Sequence, residues 1–179
     1  VRYPNAILMT SNNKTFIGGL GGIIEVENNA QKRAIIYSGP GRDFYQFKYN
    51  VKANNTYVST GSLLPTYKAL GYYIYDGFNW YSKTYDDPRF DGLKDIMAVA
   101  EANNKIYIAN NIGGLAEVDN TNIKVYNADN SILENYYNDK SVRLVDLAVD
   151  DKQNLWILNY FCPNPIKVLA KDGSWYKFN

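Results

Sequence analysis

The chain has 179 residues, which is enough for one ordinary domain with a sizeable core. Its 19 basic and 18 acidic residues nearly cancel and form no Lys/Arg run, which argues against a nucleic-acid binder. The sequence has no histidine, so this chain cannot build a Ser-His-Asp triad or a His-containing zinc site by itself. A single cysteine, Cys162, excludes an internal disulfide.

An aromatic residue recurs four times in the chain, each time shortly after a polar turn. These four anchors are Phe16, Tyr57, Tyr107 and Trp156, and their separations are 41, 50 and 49 residues. A period of about 40 to 50 residues is typical of β-propeller blades. In register, the anchors fall on the second strand of each repeat, where packing between neighbouring blades explains them better than ligand contact.

The first repeat, residues 1–42, begins with an apolar strand at residues 6–9 and an Asn-containing turn. After the anchor strand, five residues from Gly18 to Gly22 include four glycines and lead into an apolar strand. A phosphate-binding loop would instead end at a helix N-terminus. We therefore interpret the glycine-rich segment as a turn between strands.

The second repeat, residues 43–92, follows the same order, with a longer segment at residues 61–70 between its second and third strands. Insertions at that place lie on a propeller face, where binding surfaces are usually made. The third and fourth repeats are residues 93–141 and 142–179. Residues 130–137 are interpreted as a loop between blades with at most one helical turn.

These repeats predict an all-β protein with four four-stranded propeller blades in a single propeller domain or part of one. The first repeat begins at its own inner strand and the last ends on its own outer strand, so no strand is left over to close a ring. We interpret the chain as an arc of a seven- or eight-bladed propeller, and a closed four-bladed ring is the alternative.

Residue chemistry gives no catalytic, cofactor-binding or metal-binding assignment. The adjacent carboxylates Asp150 and Asp151 fall on the repeated hairpin turn, which explains them without acid–base catalysis. Cys162 has no basic neighbour in the sequence, so we expect an unreactive thiol. Aromatic side chains in predicted loops are the better candidates for a contact surface, because they offer large, rigid contact area. These candidates are Tyr67, Tyr136, Tyr137, Tyr160 and Phe161.

The last repeat carries the most specific pattern. Residues 145–150 and 154–159, followed by residues 165–168 and 172–178, resemble the regulator-type propeller repeat with its D-x-x-G-N-L-W core, in which Gln153 here replaces the glycine. Residues 75–80, Tyr-Asp-Gly-Phe-Asn-Trp, are similar to a Y-D-G-x-x-W turn. Together these segments resemble the N-terminal propeller of PorZ-like proteins of Bacteroidetes, most strongly from about residue 72 onward.

This resemblance implies an exported, non-catalytic scaffold at the cell surface, the outer membrane or the periplasm, acting in type IX secretion and cargo attachment. It implies a sortase-like protein of an attachment complex as partner, and a glycan or lipopolysaccharide as a second partner class. The alternative is the periplasmic glycan-sensing propeller of a hybrid two-component regulator. A propeller glycoside hydrolase or lyase is the third class, which the lack of an acid–base constellation disfavours.

Overall fold

A computed structural model of the chain describes residues 2–11, 14–20, 22–27, 30–35, 46–50, 55–62, 71–83, 93–119, 122–137 and 139–179. These residues form sixteen β-strands in four antiparallel sheets of four strands each, which confirms the predicted all-β class. They form no helix that is long and apolar enough to cross a membrane. The chain divides into two compact units, Val1–Gly39 and Pro40–Asn179.

The first unit contains one sheet, here sheet 1, in which the strands pair in chain order. Its strands are β1 (Arg2–Met9), β2 (Thr15–Leu20), β3 (Gly22–Glu27) and β4 (Ala30–Ile35). The glycine-rich segment joins two strands, as predicted: Gly18, Gly19 and Leu20 end β2, Gly22 begins β3, and Gly19 pairs with Gly22. Lys14 Nζ lies 2.9 Å from the carboxylate of the buried Glu25 on β3.

The second unit contains sheets 2, 3 and 4, which also pair their strands in chain order. Sheet 2 consists of β5 (Gln46–Asn50), β6 (Asn55–Ser59), β7 (Tyr72–Tyr75) and β8 (Trp80–Lys83). Sheet 3 consists of β9 (Ile96–Ala102), β10 (Lys105–Asn110), β11 (Gly114–Asp119) and β12 (Asn122–Tyr126). Sheet 4 consists of β13 (Leu144–Val149), β14 (Leu155–Asn159), β15 (Ile166–Leu169) and β16 (Trp175–Phe178).

The hairpin turns of sheets 3 and 4 use the residue types that the repeats predicted. Asn103 and Asn104 both have positive φ, 53° and 62°, as a two-residue type I′ turn requires. In sheet 4, Asp150 Oδ1 accepts the amides of Lys152 and Asn154, which confirms a turn role for this carboxylate. Gln153 adopts a φ of 68°, a left-handed conformation that explains why glycine occupies this place in the resembled repeat.

The core of the second unit lies between neighbouring sheets. One buried cluster joins sheets 2 and 3 and includes Tyr57, Val99 and Ile108. The other joins sheets 3 and 4 and includes Tyr107 and Leu147. Tyr57 and Tyr107 are 3% and 4% exposed, so the predicted packing role of these two anchors between sheets is confirmed.

Trp156 does not follow this rule within the described part of the chain. It occupies the same register position on β14 as Tyr107 on β10, yet its side chain is 40% exposed. Its ring stacks on Phe178, which lies on the same sheet, at a centroid distance of 6.0 Å. Its Nε1 donates to Asp150 Oδ2 over 3.1 Å. The fourth anchor is therefore held within its own sheet.

Residues 130–137 connect sheets 3 and 4. They contain turns and irregular backbone, with no helical turn. Leu133 is 3% exposed and belongs to the cluster between the two sheets, so it fixes this connection to the core. The loop is thereby held beside the β14–β15 connection, where the next features lie.

Candidate functional site

Four of the five predicted contact residues come together in the structure. Tyr136 lies 6.4 Å from Tyr160 and 5.9 Å from Phe161, measured between ring centroids. Tyr160 and Phe161 meet edge to face at 4.7 Å. Tyr137 is tied to the same group because its amide donates to the Phe161 carbonyl over 3.1 Å. We call Tyr136, Tyr137, Tyr160 and Phe161 the aromatic loop surface; Tyr67 lies outside the described residues.

The aromatic loop surface is open to solvent at its outer members. Tyr137 is 83% exposed and Phe161 is 61% exposed. Arg143 lies behind Tyr136, with its guanidinium carbon 3.8 Å from the ring centroid, a cation–π geometry. The same guanidinium pairs with Asp139 over 2.7 Å. Arg143 therefore restricts the motion of the Tyr136 ring, while the rings of Tyr137 and Phe161 remain accessible to another molecule.

Backbone hydrogen bonds join the two loops that carry these rings. The Tyr136 amide donates to the Ser141 carbonyl over 2.7 Å, and the Tyr160 amide donates to the Arg143 carbonyl over 2.7 Å. Phe161 has a φ of 50°, a left-handed conformation that costs an L-residue of this size about 1 kcal/mol or more. The fold thus holds an exposed aromatic side chain in an unfavourable backbone conformation, a feature that clusters at functional sites.

A carboxylate beneath the surface connects both loops. Glu134 Oε1 accepts the side-chain amide of Asn164 over 2.8 Å, and its Oε2 accepts the Asn164 backbone amide over 3.0 Å. Oε2 also accepts a bond from Lys167 Nζ over 2.7 Å. The Asn159 side chain in turn binds the backbone of Glu134. Its Oδ1 accepts a hydrogen bond from the Glu134 amide, and its Nδ2 donates one to the Glu134 carbonyl. Glu134, Asn159, Asn164 and Lys167 form what we call the Glu134 hub.

Lys167 supplies the positive charge of this hub from a fully buried position. Its side chain is 0% exposed, and its ammonium donates to Glu134 and to the Asn164 carbonyl. A buried cation is tolerated only when it is paired and hydrogen-bonded, and both conditions are met here. Removing either Glu134 or Asn164 would leave the ammonium short of partners.

The Glu134 carboxyl stays ionised over a wide pH range. Burial alone would raise its pKa, but the hydrogen bonds from Lys167 and Asn164 outweigh burial and hold the pKa at about 2. The hub therefore remains intact at neutral pH and throughout the mildly acidic range.

The structure gives Cys162 a basic neighbour that the sequence does not show. Its sequence neighbours are not basic, but Lys167 Nζ lies 3.8 Å from its sulfur because β15 folds back beneath the loop. Burial nevertheless raises the pKa of the thiol, and the nearby ammonium only partly offsets this. The side chain is therefore a protonated thiol at neutral pH. Its sulfur lies 3.3 Å from the carbonyl oxygens of Asn159 and Asn164, and its one proton can be donated to either.

The site offers aromatic area, one guanidinium that is paired with Asp139, and the Glu134 carboxylate, which accepts hydrogen bonds from Asn164 and Lys167. Within the described part of the chain, no three His, Cys, Asp or Glu side chains lie together in a way that could hold a metal ion.

Sequence reasoning found the rings but missed the residues that hold them. Glu134 and Lys167 are 33 residues apart and lie on different elements, so no local pattern links them. Arg143 follows an unremarkable polar stretch. A lysine at an inward-facing position of β15 was the one available signal, because the fully buried Lys167 must have an anionic partner somewhere in the fold.

Comparison with solved structures places this arrangement in a known fold. The chain is similar to PorZ, a surface component of the type-IX secretion system of Porphyromonas gingivalis, with a TM-score of 0.62 and 18% sequence identity. The fold is that of a β-propeller. The match covers 97% of this chain and 25% of the PorZ chain, so this chain spans about a quarter of the length of PorZ. The predicted resemblance to PorZ-like proteins is thereby confirmed at the level of fold.

A second solved structure is the extracellular domain of the hybrid two component system BT3049 from B. thetaiotaomicron. It matches with a TM-score of 0.49 and 20% identity, over 98% of this chain and 22% of that one. No model of a known protein family matches the chain, and no curated protein does.

Proposed function

We propose that this chain is a propeller segment of an exported, non-catalytic scaffold in type IX secretion, located at the cell surface or in the periplasm. The observation that carries the proposal is the match of all four sheets to the PorZ structure over 97% of the chain. The sequence resemblance from residue 72 onward supports it independently. The aromatic loop surface, which contains no acid–base constellation, is the contact region in this scaffold.

The partner in this proposal is a protein, namely the sortase-like component of the attachment complex. Aromatic residues backed by arginine are enriched at the energetic centres of protein interfaces. Tyr137 and Phe161 offer exposed rings on a backbone that hydrogen bonds already hold in place, so little conformational entropy is lost on binding. A glycan or lipopolysaccharide is the second partner class in this proposal.

The test combines deletion with surface variants in the source bacterium. Deleting the gene is expected to leave type IX cargo unattached, because the scaffold is absent. The double variant Tyr137→Ser/Phe161→Ser is expected to weaken co-precipitation of the sortase-like protein at least tenfold, since interface centres contribute about 2 kcal/mol or more per residue. Phe78→Ser is the matched control, because Phe78 is 90% exposed at the tip of the β7–β8 hairpin and far from these loops in sequence.

Normal cargo attachment in the deletion strain would overturn the secretion role. Loss of a glycan-induced transcriptional response in that strain would point instead to the sensor of a two-component regulator. If Tyr137→Ser/Phe161→Ser co-precipitates as much of the sortase-like protein as Phe78→Ser does, the contact role of the aromatic loop surface is overturned.

A further inference from the structure

A cleft of about 430 Å³ opens between sheet 3 and the β15–β16 hairpin of sheet 4, away from the aromatic loop surface. Its inner wall contains Tyr107, Tyr126, Leu169 and Trp175, and the carboxylate of Glu117 lies among them. The volume is within the range of small-molecule sites, roughly 300 to 1,000 Å³.

The fold does not require polar groups in this cleft. At the register position of Glu117, sheet 2 carries Ile74, which packs on the apolar cluster between sheets 2 and 3. Trp175 likewise occupies the position that Ile123 has in sheet 3, also packed on that cluster. The same interface geometry can therefore be built from aliphatic side chains. Sheet 1 also has a glutamate at this register position, Glu25, which pairs with Lys14, so the repeat accommodates either an aliphatic side chain or a Lys–Glu ion pair here.

The carboxylate in the cleft is fixed and ionised. Glu117 is 9% exposed and accepts hydrogen bonds from Lys105 Nζ at 2.6 Å and from Tyr126 Oη at 2.9 Å. Burial alone would raise its pKa, but these two bonds outweigh burial and lower the pKa below its ordinary value. The Tyr107 hydroxyl also interacts with this carboxylate. Since a carboxylate offers about four acceptor positions, one remains for a hydrogen bond from a ligand hydroxyl.

Aromatic rings form the flat wall of the cleft. Tyr126 and Trp175 meet edge to face, with ring centroids 5.4 Å apart and planes at 66°. Trp175 is half-buried, so part of its indole surface remains available to a ligand. A planar ring gains both contact area and favourable quadrupole geometry against such a wall.

Positive charge lies at the rim. The charges of Lys105 and Glu117 cancel within their ion pair, whereas Lys124 and Lys171 are exposed and line the same cleft. Lys124 Nζ lies 4.5 Å above the Tyr126 ring centroid, and this contact holds its ammonium near the aromatic wall. The cleft therefore combines an acceptor inside, a flat wall and two cations at the opening.

We propose that this cleft binds a small aromatic carboxylate that carries a ring hydroxyl. The ring packs against Trp175 and Tyr126, the hydroxyl donates to Glu117, and the carboxylate pairs with Lys124 and Lys171. This assignment goes beyond the secretion role and does not depend on it.

The test is calorimetric titration of the chain with 4-hydroxybenzoate, together with NMR of the tryptophan indole signals. We expect a Kd on the order of 1 mM or tighter and a shift of the Trp175 indole signal, which Trp175→Phe assigns. The double variant Lys124→Ala/Lys171→Ala is expected to weaken binding at least tenfold. Lys94→Ala, an exposed lysine outside the cleft, is the matched control and is expected to bind as the native chain does.

Three reference compounds separate the contributions. Phenol lacks the carboxylate, acetate lacks the ring, and glucuronate replaces the aromatic ring by a sugar; each is expected to bind at least tenfold more weakly. Absence of binding at about 10 mM 4-hydroxybenzoate would overturn the proposal. So would equal binding of any reference compound, or equal loss of binding in Lys94→Ala. Thermal unfolding of each variant verifies that the fold is intact.

Discussion

Sheets 3 and 4 share one repeat pattern but differ in what surrounds them. Sheet 3 is covered on both faces by the clusters that join it to sheets 2 and 4. Sheet 4 buries one face, while Trp156 and Phe178 on the other face are 40% and 47% exposed. Equivalent positions in the two sheets therefore contribute differently to the free energy of unfolding. A sequence repeat does not by itself show which positions stabilise the fold.

The strongest test of this difference compares the two anchors. We expect Tyr107→Ala to lower the free energy of unfolding by about 3 to 5 kcal/mol, because it empties a buried site between two sheets. Trp156→Ala should cost only about 1 kcal/mol, since its ring keeps much of its solvent contact in the folded state. Urea denaturation of both variants measures the two values. Equal losses would show that the exposed face of sheet 4 is covered in solution.

Two glycines with similar φ, one in sheet 3 and one in sheet 4, provide a second comparison of the two sheets. Gly114 begins β11 with a φ of 86°, and an added Cβ would lie 2.2 Å from the Tyr126 carbonyl oxygen. Gly173 in the β15–β16 hairpin has a φ of 89°, with open space around an added Cβ. We expect Gly114→Ala to cost about 3 kcal/mol and Gly173→Ala about 1 kcal/mol, because only the first adds a backbone clash to the conformational strain.

Thermal unfolding of both variants checks this prediction. Similar melting temperatures would show that the β11 backbone can move away from Tyr126.

The Glu134 hub gives sheet 4 a pH dependence of known sign. Because the folded pKa of about 2 is below the ordinary value of about 4.5, the hub stabilises the fold fully above pH 4.5. This stabilisation is lost as the pH falls from about 4.5 to about 2. Glu134→Gln should be less stable than the native chain at pH 7, and the difference should shrink across that window.

Chemical denaturation at a series of pH values measures the difference. A constant gap between the two proteins from pH 7 to pH 2 would contradict the ionised hub. Hydrogen exchange at the Asn164 amide, which Glu134 accepts, reports the same loss locally.

The smallest expected effect concerns the hairpin turn of sheet 4. Gln153→Gly would relieve the left-handed strain at this residue, worth about 1 kcal/mol. It would also remove the bond in which Gln153 Oε1 accepts the Asn103 amide over 3.3 Å. We expect these effects to cancel to within about 1 kcal/mol. Gln153→Ala also loses this hydrogen bond but keeps the left-handed strain, so the difference in stability between Gln153→Gly and Gln153→Ala isolates the strain.

Much of this fold could be predicted from the sequence. The predicted repeats at residues 93–141 and 142–179 are observed as the four-stranded sheets 3 and 4, because Asn, Asp and Gly turns mark the hairpins. The exposure of Trp156 could not be predicted, since it depends on whether another sheet covers its face. Whether a face is covered depends on the neighbouring sheet, and the residues of the strand itself do not indicate it.

The candidate site was predictable to a smaller extent. Loop position alone brought Tyr136, Tyr137, Tyr160 and Phe161 forward as a group, and the fold places them together. The pairing of Glu134 with Lys167 lies beyond sequence reasoning, because a contact across 33 residues is set by how sheets 3 and 4 meet. The cleft around Glu117 depends on the same meeting of sheets.

The burial of Lys167 has a practical consequence for chemical labelling. Its ammonium is sealed from solvent by Glu134 and Asn164, so an amine-reactive reagent cannot reach it while the two loops are closed. Lys171, four residues further on, is exposed and should be acylated at once. The extent of Lys167 modification relative to that of Lys171, measured by mass spectrometry on a peptide that contains both, therefore reports how often the loops open. This measurement needs no mutation.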